Sequence, residues 1–139
     1  MTRTMNVRME QVGAAAFEVT GDSGGTLIVD GAPDIGGEGR GMRPMELMLA
    51  SVASCSAMDV VMILRKQREP LEHLRVEISG VRPDTHPSPF QSMKLVFIVR
   101  GEVADNKLQR AVQLSVEKYC SARATIADVP VTWEARRET

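Results

Sequence analysis

The sequence lacks an excess of either charge. Its 139 residues include 17 Lys and Arg against 18 Asp and Glu, for a formal net charge of −1. Proteins that bind nucleic acid or an anionic membrane surface electrostatically carry a basic patch or a clear positive excess. We therefore expect neither nucleic acid nor a membrane among the partners of this protein.

Histidine and cysteine are also scarce, with two of each. Neither His73 nor His86 has the spacing to a second ligand that metal sites use, so we expect no metal and no cofactor. The sequence contains no GxSxG motif, and these two histidines are poor candidates for a serine triad. By elimination, Cys55 and Cys120 are the candidate reagents.

An export signal is missing as well. The first residues, MTRTMNVRMEQV, contain no apolar signal core. We expect a cytoplasmic protein in which both cysteines are free thiols at rest, because a domain of this size does not need a disulfide for stability. The length predicts a single domain over residues 1–139.

The longest apolar run is Pro44–Lys66, with no Gly or Pro after Pro44 to interrupt a helix. Pro44 suits the first helical position, and Glu46 then lies in the first turn, near the positive end of the helix dipole. The length would permit a membrane span, but Asp59 and three serines are costly in lipid. Apolar residues occupy every side, so we predict a central helix that must be covered all round.

The elements around this helix predict an α+β fold in the order βββ–α–ββ–α–β. Before the helix, three short strands over 5–12, 15–20 and 26–30 precede a glycine-rich loop over 31–42 that lacks a phosphate-binding motif. After it, alternating strands over 74–82 and 93–101 predict an antiparallel hairpin.

The second helix is predicted to be capped by Asp105 and to end at Cys120, with its apolar stripe at Leu108, Ala111, Val112, Ser115 and Tyr119. A short helical piece through residue 126 and a closing strand over 129–137 complete the chain.

Six short strands from one chain are predicted to form one sheet, which covers one side of the central helix. A second copy would cover the other side. We therefore predict an obligate homodimer with paired central helices enclosed between sheets.

Cys55 lies midway along the central helix. At 100° per residue, one face of that helix holds Cys55 together with Met48, Ser51, Val52, Met58, Asp59 and Met62. This face is mostly apolar and disfavours a thiolate, and an ionised Asp59 would disfavour it further. Activation of Cys55 would need a cation from elsewhere in the fold; without one, a buried structural cysteine is the alternative.

The segment Pro44–Lys66, taken with the run LQRAVQLSVEKYCS around Cys120, resembles the OsmC/Ohr family in its OsmC-like branch. The resemblance extends from Pro44 to the C-terminus, and the N-terminal strands agree in pattern only. It implies an intertwined homodimer in which two β-sheets wrap two long central helices, with active sites at the subunit interface. It also implies that Cys55 and Cys120 come together in space.

The resemblance further implies a thiol-dependent peroxidase of the oxidative stress response. Cys55 would attack an organic hydroperoxide, or hydrogen peroxide, and become a sulfenic acid. Cys120 would then form a disulfide with it, and an external dithiol would restore both thiols. Met48, Val52 and Met58 would suit a substrate pocket for alkyl hydroperoxides.

The chain departs from the family pattern in one respect. The family carries a glutamate directly after the helix-starting proline, paired with an activating arginine. Here that position is Met45 and the acid is Glu46, so Glu46, Arg40 and Arg43 are candidate supporting residues. The alternative for Arg40 and Arg43 is that they are exposed loop charges. The alternatives to a peroxidase are a binding module for a small apolar ligand or electrophile, and a stress-induced dimer with inert cysteines.

Overall fold

The structure is a computed structural model that describes residues 1–138. It is an α+β fold, as predicted. The strands are β1 (Val7–Gln11), β2 (Ala16–Gly21), β3 (Thr26–Asp30), β4 (His73–Val81), β5 (Ser92–Arg100) and β6 (Val131–Arg137). The helices are α1 (Pro44–Lys66), α2 (Asp105–Leu114) and α3 (Ser121–Thr125), with a 3₁₀ turn at Pro33–Ile35 and a π turn at Ser115–Tyr119.

The chain divides into two compact units, residues 1–48 and residues 49 onward. In the first unit, β1, β2 and β3 form an antiparallel meander. Asp30, at the end of β3, is buried and accepts the backbone N–H groups of Gly31, Glu38 and Arg40. These hydrogen bonds lower the pKa of Asp30, and those from Glu38 and Arg40 contribute most. They also attach the glycine-rich segment to the end of β3.

In the second unit, β4 and β5 form the predicted antiparallel hairpin, and β6 pairs parallel to β5. A parallel pair needs a crossover connection, which α2, the π turn and α3 supply. On β4, the side chains of Leu74, Val76 and Ile78 are half-buried while their neighbours are exposed, so the predicted alternation is confirmed. The largest fully buried apolar side chains of this unit come from α1, β5 and α2.

The prediction of one sheet from six strands is wrong. The described strands form two three-stranded sheets, in the orders β1–β2–β3 and β4–β5–β6. Within each sheet, hydrogen-bonded strands are either consecutive in the sequence or joined by one helical crossover. Alternation within a strand reports which side chains are buried, and it carries no information about which strand lies alongside.

One narrow side of α1 is buried in the second unit, at Val52, Ser56, Val60 and Leu64. These positions recur every four residues, whereas Met58 and Met62 on other sides of the helix are exposed. By length and composition α1 could cross a membrane, and 22% of its apolar window is buried within the chain. The helix therefore presents a large apolar surface that the described residues leave open.

The second helical run ends at Cys120 as predicted, but its N-cap and the burial of Tyr119 differ from the prediction. No side chain caps it: Ala104 occupies the N-cap, and Asp105 lies in the first turn and accepts a bond from Gln109. The predicted stripe is buried from Leu108 to Ser115, but Tyr119 is 51% exposed. The π turn widens the last turn by one residue, which rotates Tyr119 away from the buried face.

Candidate thiol site

Cys55 lies in the middle of α1 and is half-buried, one turn after Val52 and next to Ser56. α1 contains no Gly or Pro after its first position, so the backbone around Cys55 is regular and holds the thiol in a defined direction. The thiol is free.

Cys120 follows the π turn and precedes α3, and its side chain is 2% exposed. Its backbone N–H donates to the Ser115 carbonyl at 2.8 Å, the wide spacing that defines a π turn. Its Sγ accepts the backbone N–H of Arg123 at 3.4 Å and lies 3.9 Å from the carbonyl oxygen of Val52 on α1.

The structure brings the two thiols together, although they are 65 positions apart in the chain. Burial raises the pKa of Cys120 to about 11, and a hydrogen bond with Cys55 and the charges of Cys55 and Asp59 add to the rise. The N–H of Arg123 acts in the opposite direction. At neutral pH Cys120 therefore keeps its proton, and its S–H donates to the Val52 carbonyl oxygen at 3.9 Å.

A buried polar cluster lies beside the thiols and was not anticipated from the sequence. The hydroxyls of Ser56 and Ser115 are 2.7 Å apart, and both residues are fully buried. Ser115 Oγ also lies 2.9 Å from the Ser56 carbonyl and 3.3 Å from Oδ2 of Asp59. The available signal was a serine on the predicted buried stripe of α2, since a hydroxyl in a core requires a partner.

The candidate supporting residues make contacts within the first unit. Oε1 of Glu46 accepts the backbone N–H of Arg43 at 3.0 Å. This is half of a capping box, with Glu46 at the third helical position and Arg43 at the N-cap. The Arg40 guanidinium donates to the Val12 carbonyl at 2.8 Å, and its backbone N–H donates to Asp30. Each residue thus has a local structural task.

The predicted substrate-pocket residues have different surroundings. Val52 is buried, with its carbonyl beside Cys120, whereas Met58 is 66% exposed. Met48 belongs to the first unit and is exposed. Val52 and Met58 therefore do not line one shared pocket in the second unit.

Met58 instead lines an open groove of about 1060 Å³ between α1 and β4. Three alanines, two methionines and Val61 of α1 form one wall, and Leu74, Val76 and Ile78 of β4 form the other. His73 and the charged residues Arg65, Glu69 and Glu72 lie among its lining residues. Met58 and Met62, two of the exposed methionines of α1, both line the groove.

Within residues 1–138, no group of three or more His, Cys, Asp or Glu side chains is arranged to hold a metal ion. The site consists of two free cysteines, one of them on a long apolar helix of an α+β fold. This arrangement is that of a protein whose chemistry uses a pair of thiols. The chain belongs to the OsmC-like protein family, whose profile matches residues 37–134.

A relative and a solved structure match the chain over most of its length. The chain is 36% identical over 118 residues to protein YhfA of Escherichia coli strain K12, covering 84% of this chain and 85% of YhfA. A hypothetical protein from Aquifex aeolicus VF5 superposes with a TM-score of 0.83 at 30% identity, over 99% of this chain and 100% of that one.

A more distant structure shares the fold alone. The organic hydroperoxide resistance protein from Elizabethkingia anophelis superposes with a TM-score of 0.71 at 15% identity. The match covers 99% of each chain.

Proposed function

We propose that this protein is a cysteine-based peroxidase that reduces organic hydroperoxides, and hydrogen peroxide less well, at the expense of an external dithiol. The observation that carries the proposal is the position of the Cys120 sulfur, which lies 3.9 Å from the carbonyl oxygen of Val52, one helical turn before Cys55. Cys55 also contributes to the raised pKa of Cys120. Membership of the OsmC-like family supports it, as does the likeness of the fold to a protein named for organic hydroperoxide resistance.

In the first step, the Cys55 thiolate attacks one oxygen of the hydroperoxide. The O–O bond breaks, the alkoxide takes a proton and leaves as the alcohol, and Cys55 becomes a sulfenic acid. In the second step, the Cys120 sulfur attacks the Cys55 sulfur, a disulfide forms and water leaves. Two thiol–disulfide exchanges with the dithiol then restore both thiols and oxidise the dithiol to its disulfide.

The protonation of Cys120 supports this division of roles. A thiol whose pKa is about 11 is a weak nucleophile at neutral pH, so it does not compete with Cys55 for peroxide. The S–H of Cys120 is directed at the Val52 carbonyl oxygen, which keeps its sulfur on the side of α1 that carries Cys55. Once Cys55 carries a hydroxyl, the same proximity favours the disulfide over further oxidation.

The direct test is hydroperoxide-dependent oxidation of dithiothreitol with tert-butyl hydroperoxide as substrate. The wild-type protein should turn over, and Cys55→Ser should fall to the rate measured without protein. Cys120→Ser should still form one sulfenic acid per chain, trapped by dimedone at Cys55, while losing fast turnover. Equal turnover by wild type and Cys55→Ser would remove Cys55 from the mechanism.

We further propose a cytoplasmic homodimer built from single-domain chains. The support is the open apolar surface of α1, with Met58 66% and Met62 51% exposed. Exposed apolar patches of this kind mark interaction surfaces in soluble proteins. A second copy of α1 supplies a surface of matching length and polarity.

A second candidate function is a binding module for a small apolar ligand or electrophile, favoured by the apolar groove between α1 and β4. Native mass spectrometry of the reduced protein distinguishes the two. Retention of a long-chain alkyl ligand, with no dithiol oxidation in the peroxidase assay, would support the binding module. Loss of the ligand under gentle ionisation, with turnover of peroxide, would reject it.

A further inference from the structure

We propose that Ser115 is a positioning residue for Cys120: it fastens the π turn to α1 and so holds the Cys120 sulfur beside the turn of α1 that carries Cys55. This inference rests on the proposed function and deepens it, because it assigns the residue that brings the second thiol within reach of the first. The parts involved are a buried pair of hydroxyls and the backbone of the π turn.

The side chain of Ser115 binds α1 through two short hydrogen bonds. Its Oγ lies 2.7 Å from the Ser56 hydroxyl and 2.9 Å from the Ser56 carbonyl oxygen. A carbonyl oxygen can only accept, so the Ser115 hydroxyl donates to it and the Ser56 hydroxyl donates to Ser115. Each hydroxyl hydrogen is thereby used once, and the Asp59 carboxylate, at 3.3 Å, is a more distant acceptor. Both serines are fully buried, so water does not compete for these bonds.

The main chain of Ser115 holds Cys120. The Ser115 carbonyl accepts the backbone N–H of Cys120, five residues further on, at 2.8 Å. In an α-helix this N–H would bond to the carbonyl of Val116, and the extra residue of the π turn changes the direction in which the chain leaves the helix. The side chain of Ser115 therefore fixes the start of the π turn to α1, and its carbonyl fixes the residue that follows the turn.

The Cys120 sulfur contacts the same stretch of α1 as Ser115 does. It lies 3.9 Å from the carbonyl oxygen of Val52, which precedes Ser56 by four residues. A carbonyl of an α-helix points along the axis toward the next turn, and the turn after Val52 carries Cys55 and Ser56. The sulfur of Cys120 and the hydroxyl of Ser115 therefore face one turn of α1, in which Cys55 is next to Ser56.

Apolar packing alone would not set this position. The residues on either side of Ser56 along its buried stripe are Val52 and Val60, and the buried Val116 follows Ser115. Contacts among such side chains are non-directional, so they allow two helical segments to shift along each other. A hydrogen-bonded pair of hydroxyls in an apolar core is directional and costly to break, so it fixes the register of the two segments.

The register matters because a disulfide tolerates little error. The two sulfurs must approach to about 2.0 Å, with their Cβ atoms about 3.8 Å apart. A displacement of about 1 Å between reacting groups can slow a reaction about 100-fold. Cys120 is 2% exposed and bonded through both its N–H and its sulfur, so its position relative to Cys55 is given by the fold.

The test measures the effective concentration of the two thiols for each other. The folded protein is equilibrated with reduced and oxidised glutathione, and the Cys55–Cys120 disulfide is quantified by mass spectrometry after acid quenching. Ser115→Ala, and the double variant Ser56→Ala with Ser115→Ala, should lower the effective concentration by about tenfold or more. The double variant leaves neither hydroxyl unpaired, so it serves where the single variant fails to fold. Ser88→Ala, which removes a hydroxyl that donates to the Pro83 carbonyl, is the matched control and should change nothing.

Equal effective concentrations in wild type and the double variant would overturn the proposal, and a loss of stability without such a change would assign Ser115 to stability alone. A wild type that forms no Cys55–Cys120 disulfide in oxidised glutathione would also reject it. The equilibrium uses no peroxide, so it decides the role of Ser115 separately from the dithiothreitol assay, in which failure of the peroxidase proposal would appear as absent turnover.

Discussion

The thiol of Cys120 can ionise and is buried, so the stability of the protein depends on pH. Its pKa is raised from the ordinary 9.0 to about 11, first by burial. The folded state therefore holds this proton more tightly than the unfolded chain does. The contribution to stability is complete below pH 9.0 and is lost as the pH rises through about 11.

We expect the free energy of unfolding of the wild type to fall by about 2–3 kcal/mol over that range relative to Cys120→Ala. Urea unfolding under reducing conditions, at a series of pH values, measures the difference. All other side chains are common to the two proteins, so the comparison isolates Cys120. Parallel pH profiles for the two proteins would contradict the assignment of the shift to Cys120.

The Ser56–Ser115 pair allows a second test at the scale of single residues. Ser115→Ala leaves the buried Ser56 hydroxyl without its partner, and we expect a loss of about 1–3 kcal/mol. The double variant Ser56→Ala with Ser115→Ala removes both partners and should cost less than the sum of the single changes. Strictly additive losses in urea unfolding would show that the two hydroxyls do not interact.

Among the elements, β4 contains a position where no side chain fits. A Cβ on Gly80 would lie 2.5 Å from the Phe90 ring and 3.0 Å from Leu49. We expect Gly80→Ala to destabilise the protein by about 1–3 kcal/mol, because Phe90 must move within a packed region. Gly25→Ala, where a Cβ would meet nothing within 4 Å, is the matched control, and thermal unfolding compares them. Equal midpoints for both variants would contradict this packing.

The two main helices differ in how far their sequences predicted them. The bounds of α1 are those predicted, because Pro44 starts it and no residue after Pro44 interrupts it. The second helical run ends at Cys120 as predicted, but its last turn is a π turn, which leaves Tyr119 exposed. The extra residue in that turn is stabilised by the tertiary contacts of Ser115, which helical periodicity does not report.

For the whole molecule, the open side of α1 predicts the state of association. We expect light scattering to give twice the mass of the 15.2 kDa chain. Met58→Glu places a charge on the uncovered face and should weaken the dimer by at least about tenfold, since symmetry repeats the change. Met58→Leu keeps volume and polarity and should leave association unchanged. A monomeric wild type would contradict the proposed dimer.

Much of the thiol site could be found from the sequence, but its arrangement could not. Elimination of other reagents left Cys55 and Cys120, and the family resemblance implied their proximity. Asp59 was expected beside Cys55 because the two are one helical turn apart. The hydrogen bond between Asp59 and Ser115 could not be expected, because Ser115 lies 56 positions further along the chain.

The sequence by itself determined the strands of the β4–β5 hairpin, the helix that carries Cys55 and the need to cover that helix. These features depend on neighbours a few residues apart, where periodicity and propensity act. Tertiary structure alone decided the two separate sheets, the π turn before Cys120 and the meeting of Ser56 with Ser115. Those depend on which distant segments pack together, and no local pattern specifies that choice.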